Sequence, residues 1–126
     1  MPTTLNLTPK QIQRYRDSAT QHFKRENAEI ESRRQQAWQS AQYATRILKE
    51  KFKATRVVAF GSLVHPAGFT RWSDVDIAAW GIDPEDTIQA IGVIAELDTA
   101  VTVNLVDVNT ARPSILAVIK QDGIEL

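Results

Sequence analysis

Two short segments contain the strongest strand signals in this chain: Val57-Val58-Ala59-Phe60-Gly61-Ser62 and Asp74-Val75-Asp76-Ile77-Ala78-Ala79-Trp80. The first is rich in β-branched residues and ends at a Gly-Ser pair, and the second begins with two aspartates that are two residues apart. The eleven residues between them include Pro66 and Gly68, which is typical of a loop. If these two strands are neighbours, the Gly-Ser turn lies beside the aspartates.

Helices and strands alternate around these two segments. The sequence predicts a helix from 9 to about 52, a helix from 83 to 97, a strand from 101 to 108, a helix from 113 to 122 and a short edge strand at 124–126. This pattern predicts an α+β (α/β-like) fold in which a small mixed β-sheet is flanked by helices.

The N-terminal helix is unusually long and polar. Thr8-Pro9-Lys10-Gln11 is a capping-box start, and no Gly or further Pro follows before about Phe52. Residues 20–36 are strongly polar, so the helix either breaks between about 20 and 35 or its first half projects from the domain. We divide the chain into a helical extension, 1–35, and a domain, 36–126. We expect the extension to serve self-association or partner docking.

Composition excludes several classes of protein. The chain has 126 residues, 43% of them hydrophobic, and no cysteine, which excludes disulfides and thiolate zinc sites and fits a cytoplasmic protein. The sequence predicts neither a membrane span nor a signal peptide. Net charge is zero, but residues 1–56 hold 12 basic and five acidic residues, whereas the remainder holds three and ten. The basic half either meets an acidic partner or is a solvated helix face.

The aspartate pair is the first candidate for chemistry. Side chains two apart on a strand share one face, so Asp74 and Asp76 lie together while Val75, Ile77 and Ala79 face the core. Two adjacent carboxylates repel each other unless a cation lies between them, and oxygen ligands favour Mg²⁺ or Mn²⁺. The alternative is a solvated pair on an exposed sheet face.

The Gly61-Ser62 pair is the second candidate. Glycine at a strand end lets the backbone approach a ligand closely, and the hydroxyl and N–H groups beyond it can bind phosphate. The alternative is an ordinary turn that ends a strand. The combination of this turn with the aspartate pair favours a site for a nucleoside triphosphate and metal.

The two segments together resemble the signature of the DNA polymerase β-like nucleotidyltransferases. The arrangement from Val57 to Ser62 and from Ser73 to Ala78 is similar to the minimal nucleotidyltransferases, which are often the antitoxin partners of HEPN-type ribonuclease toxins. The resemblance covers about residues 45–126. It implies the nucleotidyltransferase fold, two Mg²⁺ ions, triphosphate binding by Gly61 and Ser62, and metal binding by Asp74 and Asp76.

The resemblance departs from the family pattern at one position. The family has a third carboxylate on a later strand, and the residue that aligns with it here is Asn104. Asparagine supplies a carbonyl ligand but no negative charge, and it cannot accept the proton of an attacking hydroxyl. Asp107 is the nearest substitute, but it faces the other side of a regular strand unless a bulge intervenes. Glu96 and Asp98 are further alternatives.

For the remaining candidate residues, we first expect exposure to solvent or packing rather than a role in the site. His22 is expected to be exposed on the long helix. His65 and Arg71 lie in the loop between the two segments, where each could also contact a phosphate or the acceptor. Trp72 and Trp80 flank the aspartates, and packing is favoured over base stacking for both. For Tyr15 and Phe23, a core stripe is favoured over a contact surface.

Two functions remain open at this point. The first is an enzyme that transfers a nucleoside monophosphate from an NTP, with ATP expected, to a hydroxyl of a protein or RNA partner. The resemblance implies that it is the antitoxin of a HEPN-type toxin in a toxin–antitoxin pair. The second is a catalytically weak or inactive binding module that neutralises a toxin by contact. Asn104 favours the second function, whereas Asp74, Asp76 and the Gly-Ser pair favour the first.

Overall fold

The computed structural model describes residues 7–126, so the first six residues of the predicted extension lie outside the described range. The helices are α1 (Pro9–Lys51), α2 (Thr87–Ala95) and α3 (Pro113–Asp122), and the strands are β1 (Arg56–Phe60), β2 (Val75–Trp80), β3 (Val103–Asp107) and β4 (Ile124–Glu125). Short 3₁₀ turns occupy Gly61–Val64, Pro66–Gly68 and Pro84–Asp86. This alternation confirms the predicted α+β class.

The four strands form one mixed sheet in the order β3-β2-β1-β4. β1 pairs antiparallel with both β2 and β4, whereas β2 and β3 are parallel and are connected through α2. A parallel pair needs such a crossover, because the chain must return to the starting edge of the sheet. The two predicted strands are therefore direct neighbours at the centre of the sheet.

Helices cover both faces of the sheet. One face carries Val57, Ala59 and Ile77, which pack in the main core with the buried residues of α1 and α2. The other face carries Val58, Phe60 and Ala78, which pack with Ile119 of α3. The alternation along β2 confirms that Val75, Ile77 and Ala79 face the main core.

The long helix is continuous and does not break between residues 20 and 35. Thr8 caps it, and the capping box with Gln11 is present as predicted. Its 43 residues correspond to a length of about 65 Å. Its buried side chains begin at Ala37, so the N-terminal half projects beyond the sheet.

Gly123 follows α3 but does not form the left-handed cap for which glycine is common at the end of a helix. Its φ is −64°, which any residue adopts, so no left-handed cap is formed. A Cβ atom at this position would collide with the carbonyl oxygen of Ile119 and the side chain of Val58. The glycine therefore permits close packing between the end of α3 and β1.

None of the helices between residues 7 and 126 is both long enough and apolar enough to span a membrane.

Truncation from the N-terminus separates the projecting part of α1 from the part that packs on the domain. Removing residues 1–25 should leave a folded domain, because the residues that it deletes from the described range are exposed. Removing residues 1–35 should also leave a folded domain, but with about 1–3 kcal/mol less stability, since it deletes Ile30, which packs on the core, and Arg33, which bonds to Ser73. Denaturant unfolding of both truncations tests this, and an unfolded 1–25 deletion would contradict it.

Candidate nucleotide and metal site

The strand register aligns three candidate positions in one row across the sheet. Phe60 pairs with Asp76, and Asp76 pairs with Asn104. Residues directly opposite each other on paired strands project to the same face, so these three form a row on the face that α3 covers. We call Phe60, Asp76 and Asn104 the site row. It lies where β1 ends, immediately before the Gly61-Ser62 turn.

Gly61 lies directly against the carboxylate of Asp76. Its φ is +78°, in the left-handed region that favours glycine, and a Cβ atom here would stand 3.0 Å from Asp76 Oδ2. Any side chain at position 61 would therefore strain the backbone and crowd the carboxylate. Ser62 follows in the 3₁₀ turn and is half-buried. The structure thus brings the turn and the second aspartate together, while their chemical roles stay predictions.

Asp74 lies outside the strand on which we placed it. β2 begins at Val75, where the backbone N–H donates to Thr102 O at 2.9 Å, and Asp74 is the exposed residue just before it. The predicted strand was one residue too long, because pairing with β3 starts only at Val75. The two aspartates still interact, since the charge of Asp74 acts on Asp76.

The pKa of Asp76 is raised above its ordinary value of 3.8. Partial burial is the main cause, because it disfavours the charged form. A hydrogen bond from the Asn104 side chain lowers the pKa, and the negative charge of Asp74 raises it. Asp76 is therefore a carboxylate in an environment that a nearby cation would stabilise.

This shift predicts the effect of Asp76→Asn on a metal-free protein. Well below pH 3.8 the carboxyl group is protonated in both folded and unfolded states, so it contributes no difference. Between pH 3.8 and the raised folded-state pKa the unfolded state loses its proton first, so stability falls until the folded state is ionised as well. Asp76→Asn removes that cost, so the variant should be more stable than wild type at pH 7 in EDTA, and the difference should vanish in acid.

Thermal unfolding at several pH values measures this difference. Asp107→Asn is the matched control, because it alters a carboxylate on the opposite face of the sheet. A wild type that is more stable than Asp76→Asn at neutral pH would show that burial does not disfavour the charge.

Asp107 does not replace the missing third carboxylate. It pairs with Ala79 in a regular register, three residues beyond Asn104 and on the opposite face, as the odd spacing predicted. Its carboxylate accepts hydrogen bonds from Asn109 N at 3.0 Å and Thr110 Oγ1 at 2.9 Å, which hold the turn after β3. Asn104 is exposed and pairs with Asp76 on the neighbouring strand, and its role as the third position of a site stays a prediction.

The loop between the two strands is held by contacts that the sequence did not reveal. Nε2 of His65 lies 3.3 Å from Asp122 Oδ2 of α3, and an Arg71 nitrogen lies 2.6 Å from Glu26 Oε1 of α1. Arg33 of α1 donates to Ser73 O at 3.1 Å. The partners are 40 to 57 residues apart in sequence, so no local pattern could have identified them.

The aromatic candidates separate into two environments. Trp72 is exposed, contrary to the packing interpretation, whereas Trp80 is half-buried and packs on the face of the sheet beneath α3. The Arg56 guanidinium stands 4.6 Å from the Trp80 ring centre, a cation–π contact. Tyr15 and Phe23 are also exposed, which excludes a core stripe, and His22 is exposed as predicted.

A cleft of about 230 Å³ lies at the other end of β2 and β3. Trp80, Gly81, Asp107 and Asn109 are among the residues that surround it. Asp76 is three residues before Ala79, the first residue of that cleft on β2, which corresponds to about 10 Å along the strand. The cleft is therefore separate from the site row.

The donor set at the site row fits a magnesium–nucleotide complex better than a free metal ion. Residues 7–126 contain no group of three or more His, Cys, Asp or Glu side chains that could hold a metal by themselves. Mg²⁺ is commonly held by one or two carboxylates together with substrate phosphates and water. Asp76 with its raised pKa, the neighbouring Asp74 and the Asn104 carbonyl are all oxygen donors of this kind.

Comparison with known proteins identifies the fold. No protein-family model matches the chain, and no curated protein matches it. The chain is similar in structure to a chain of a variant of the toxin–antitoxin complex MntA–HpeT, with a TM-score of 0.52 and 22% identity over 68% of this chain and 69% of that chain. Another variant of that complex gives a TM-score of 0.48 and 20% identity over 68% and 70%. The first similarity supports the predicted α+β fold.

Proposed function

We propose that this chain is a Mg²⁺-dependent nucleotidyltransferase and the antitoxin of a HEPN-type toxin. It transfers a nucleoside monophosphate from an NTP, with ATP as the expected donor, to a hydroxyl group of a protein or RNA partner. The observation that carries this proposal is the contact of Gly61 with the Asp76 carboxylate in the site row. The likeness to a chain of the toxin–antitoxin complex MntA–HpeT supports the choice of partner.

Each residue of the site has a defined task in the proposed reaction. Gly61 and Ser62 hold the triphosphate, since the glycine backbone is open to close approach and the serine supplies a hydroxyl. Asp74 and Asp76 hold Mg²⁺, which when bound neutralises phosphate charge. The acceptor oxygen forms a bond to the α-phosphorus, the bond from that phosphorus to the bridging oxygen breaks, and pyrophosphate leaves.

The rate of nucleotidyl transfer depends on which group accepts the proton of the acceptor hydroxyl. Asn104 stands beside Asp76 but cannot accept that proton, so either Asp76 or solvent must take it. In this proposal Asp76 is a metal ligand, and a carboxylate that holds Mg²⁺ is a weaker base than a free one. We therefore propose an enzyme that binds nucleotide well and transfers it slowly.

A second function follows from the same asparagine. With no carboxylate at position 104, the fold can serve as a binding module that neutralises a toxin by contact, with weak or no catalysis. The two functions share the nucleotide site and the partner, and they differ in whether a covalent bond forms.

Incubation with a labelled donor distinguishes the two functions. The chain, a HEPN-type toxin and Mg²⁺ are mixed with ATP labelled on the α-phosphate, with cellular RNA as a second acceptor. Label that appears in the toxin or RNA, and that EDTA prevents, supports the enzyme. Toxin neutralised without label supports the binding module. A toxin that is neither labelled nor neutralised contradicts both functions.

A further inference from the structure

The projecting half of α1 carries a row of apolar side chains on one face. Ile12, Tyr15, Ala19 and Phe23 follow each other at intervals of three, four and four residues, which places them on one side of the helix. Tyr15 is 75% exposed and Phe23 is 63% exposed. Single exposed apolar residues are ordinary, but an ordered row of them on one helix face indicates a contact surface.

The exposed apolar row lies on the same side of α1 as the buried residues that pack on the sheet. Ala37 and Ala41, which are buried in the core, follow Tyr15 and Ala19 at the same interval of 22 residues. That interval is close to six helical turns at about 3.6 residues per turn, so both pairs lie on nearly the same side. The exposed row therefore overhangs the edge of the domain and faces the side on which the sheet lies.

The loop before β2 brings a third exposed aromatic residue near the end of this row. Arg71 is held to Glu26 at 2.6 Å, and Glu26 is one helical turn beyond Phe23. The next residue, Trp72, is 83% exposed and lies two residues before Asp74. We call Tyr15, Phe23 and Trp72 the aromatic surface. It extends from the projecting helix to the entrance of the candidate site.

Charge indicates the kind of partner that fits this surface. Residues 9–25 hold five basic residues and one acidic residue. A second copy of the same segment would bring like charges together, whereas an acidic partner would be attracted. The helical spacing of the apolar row matches the way an amphipathic helix packs with another helix or a groove. Aliphatic Ile12 and Ala19 offer no stacking surface to a nucleic acid base, so the row favours a protein over RNA.

We propose that the aromatic surface docks an acidic, amphipathic helix of the partner protein, and that this docking brings the partner's acceptor hydroxyl to the site row. The first part rests on the partner named in the proposed function, and the second part rests on the proposed nucleotidyl transfer. The overhang on the side of the sheet and the position of Trp72 beside Asp74 place the docked helix next to the site.

The test measures binding of the full chain to the HEPN-type toxin that serves as partner in the labelling experiment. Tyr15→Gln with Phe23→Gln keeps helix-forming residues but removes both aromatic anchors, and it should weaken the complex at least about 30-fold. Trp72→Gln should weaken it at least about fivefold. Gln21→Ala with Ala28→Gln changes two exposed residues on the opposite face of α1 and should leave affinity within about twofold. Circular dichroism shows whether α1 stays helical.

Any of the following results would overturn the docking proposal. A wild type that does not bind the toxin, or an aromatic variant that binds it as tightly as wild type does, contradicts it directly. Sedimentation that shows a wild-type dimer, lost in the Tyr15 and Phe23 variant, assigns the surface to a second copy instead. Loss of binding to a fluorescent oligouridylate in that variant assigns it to RNA. Stabilisation of the wild type by Mg²⁺-ATP is measured separately, so that its absence would contradict only the proposed function.

Discussion

Replacing Asp74 and Asp76 together by alanine is expected to abolish the stabilisation of this protein by Mg²⁺-ATP. A ligand that binds only the folded state at about 100 times its Kd stabilises that state by about 2.7 kcal/mol. The double variant should lose this gain entirely, because the two carboxylates supply the negative charge that holds the metal. Thermal unfolding with and without Mg²⁺-ATP measures the effect.

The apo protein provides the internal control for this result. Because burial raises the pKa of Asp76, its charge at neutral pH opposes folding, and the double variant should melt no lower than wild type in EDTA. Loss of the nucleotide effect therefore cannot be ascribed to unfolding. Asp107→Ala is the matched carboxylate control and should keep the full stabilisation. Full stabilisation of the double variant would remove both aspartates from the nucleotide site.

Restoring a carboxylate at position 104 is expected to raise the rate of nucleotidyl transfer at least tenfold. Loss of a general base commonly costs about 10²–10⁴-fold in rate. Asn104 stands directly opposite Asp76 on the neighbouring strand, so Asn104→Asp places the new carboxylate at the site row without moving the backbone. Affinity for the NTP should change little, since a gain in rate without a gain in binding is the result of an interaction made only in the transition state.

The same substitution should destabilise the apo protein. It replaces a hydrogen bond that lowers the pKa of Asp76 with a like charge, so Asn104→Asp should be less stable than wild type in EDTA. Asp107→Ala should change neither rate nor stabilisation by nucleotide. If instead Asp107→Ala eliminates transfer and Asn104→Asp has no effect, the third strand does not use Asn104 as its site position.

Local signals in the sequence predicted the helices and strands and the side of the sheet to which the strand side chains point. The capping box at Thr8 and the alternation of aspartates with apolar residues along 74–79 depend only on neighbouring residues, and both predictions are confirmed except that the strand begins at Val75. The strand order and the pairing of Asp76 with Asn104 depend on the whole sheet. For the site, the sequence therefore supplied the candidate residues but not the row that joins them.

The sequence did not predict that the first half of α1 is exposed or that the loop before β2 is anchored to α1. Both features depend on how residues far apart in the chain come together. Tyr15 and Ala19 are four residues apart, as are the buried Ala37 and Ala41, so the pattern alone suggested a core stripe. What differs is the length of the sheet beneath the helix. Likewise, the pairing of Arg71 with Glu26 spans 45 residues and depends on how α1 lies across the domain.

The most direct test of the central claim is to locate Mn²⁺-ATP on the protein by paramagnetic broadening of its amide resonances. We expect the amide signals of Gly61, Ser62, Asp76 and Asn104 to broaden, because the metal would be held at the site row. The signals of Gly92 and of Asn109, which borders the cleft at the far end of β3, should broaden less. Broadening centred on Asn109, or no broadening at saturating Mn²⁺-ATP, would contradict the account.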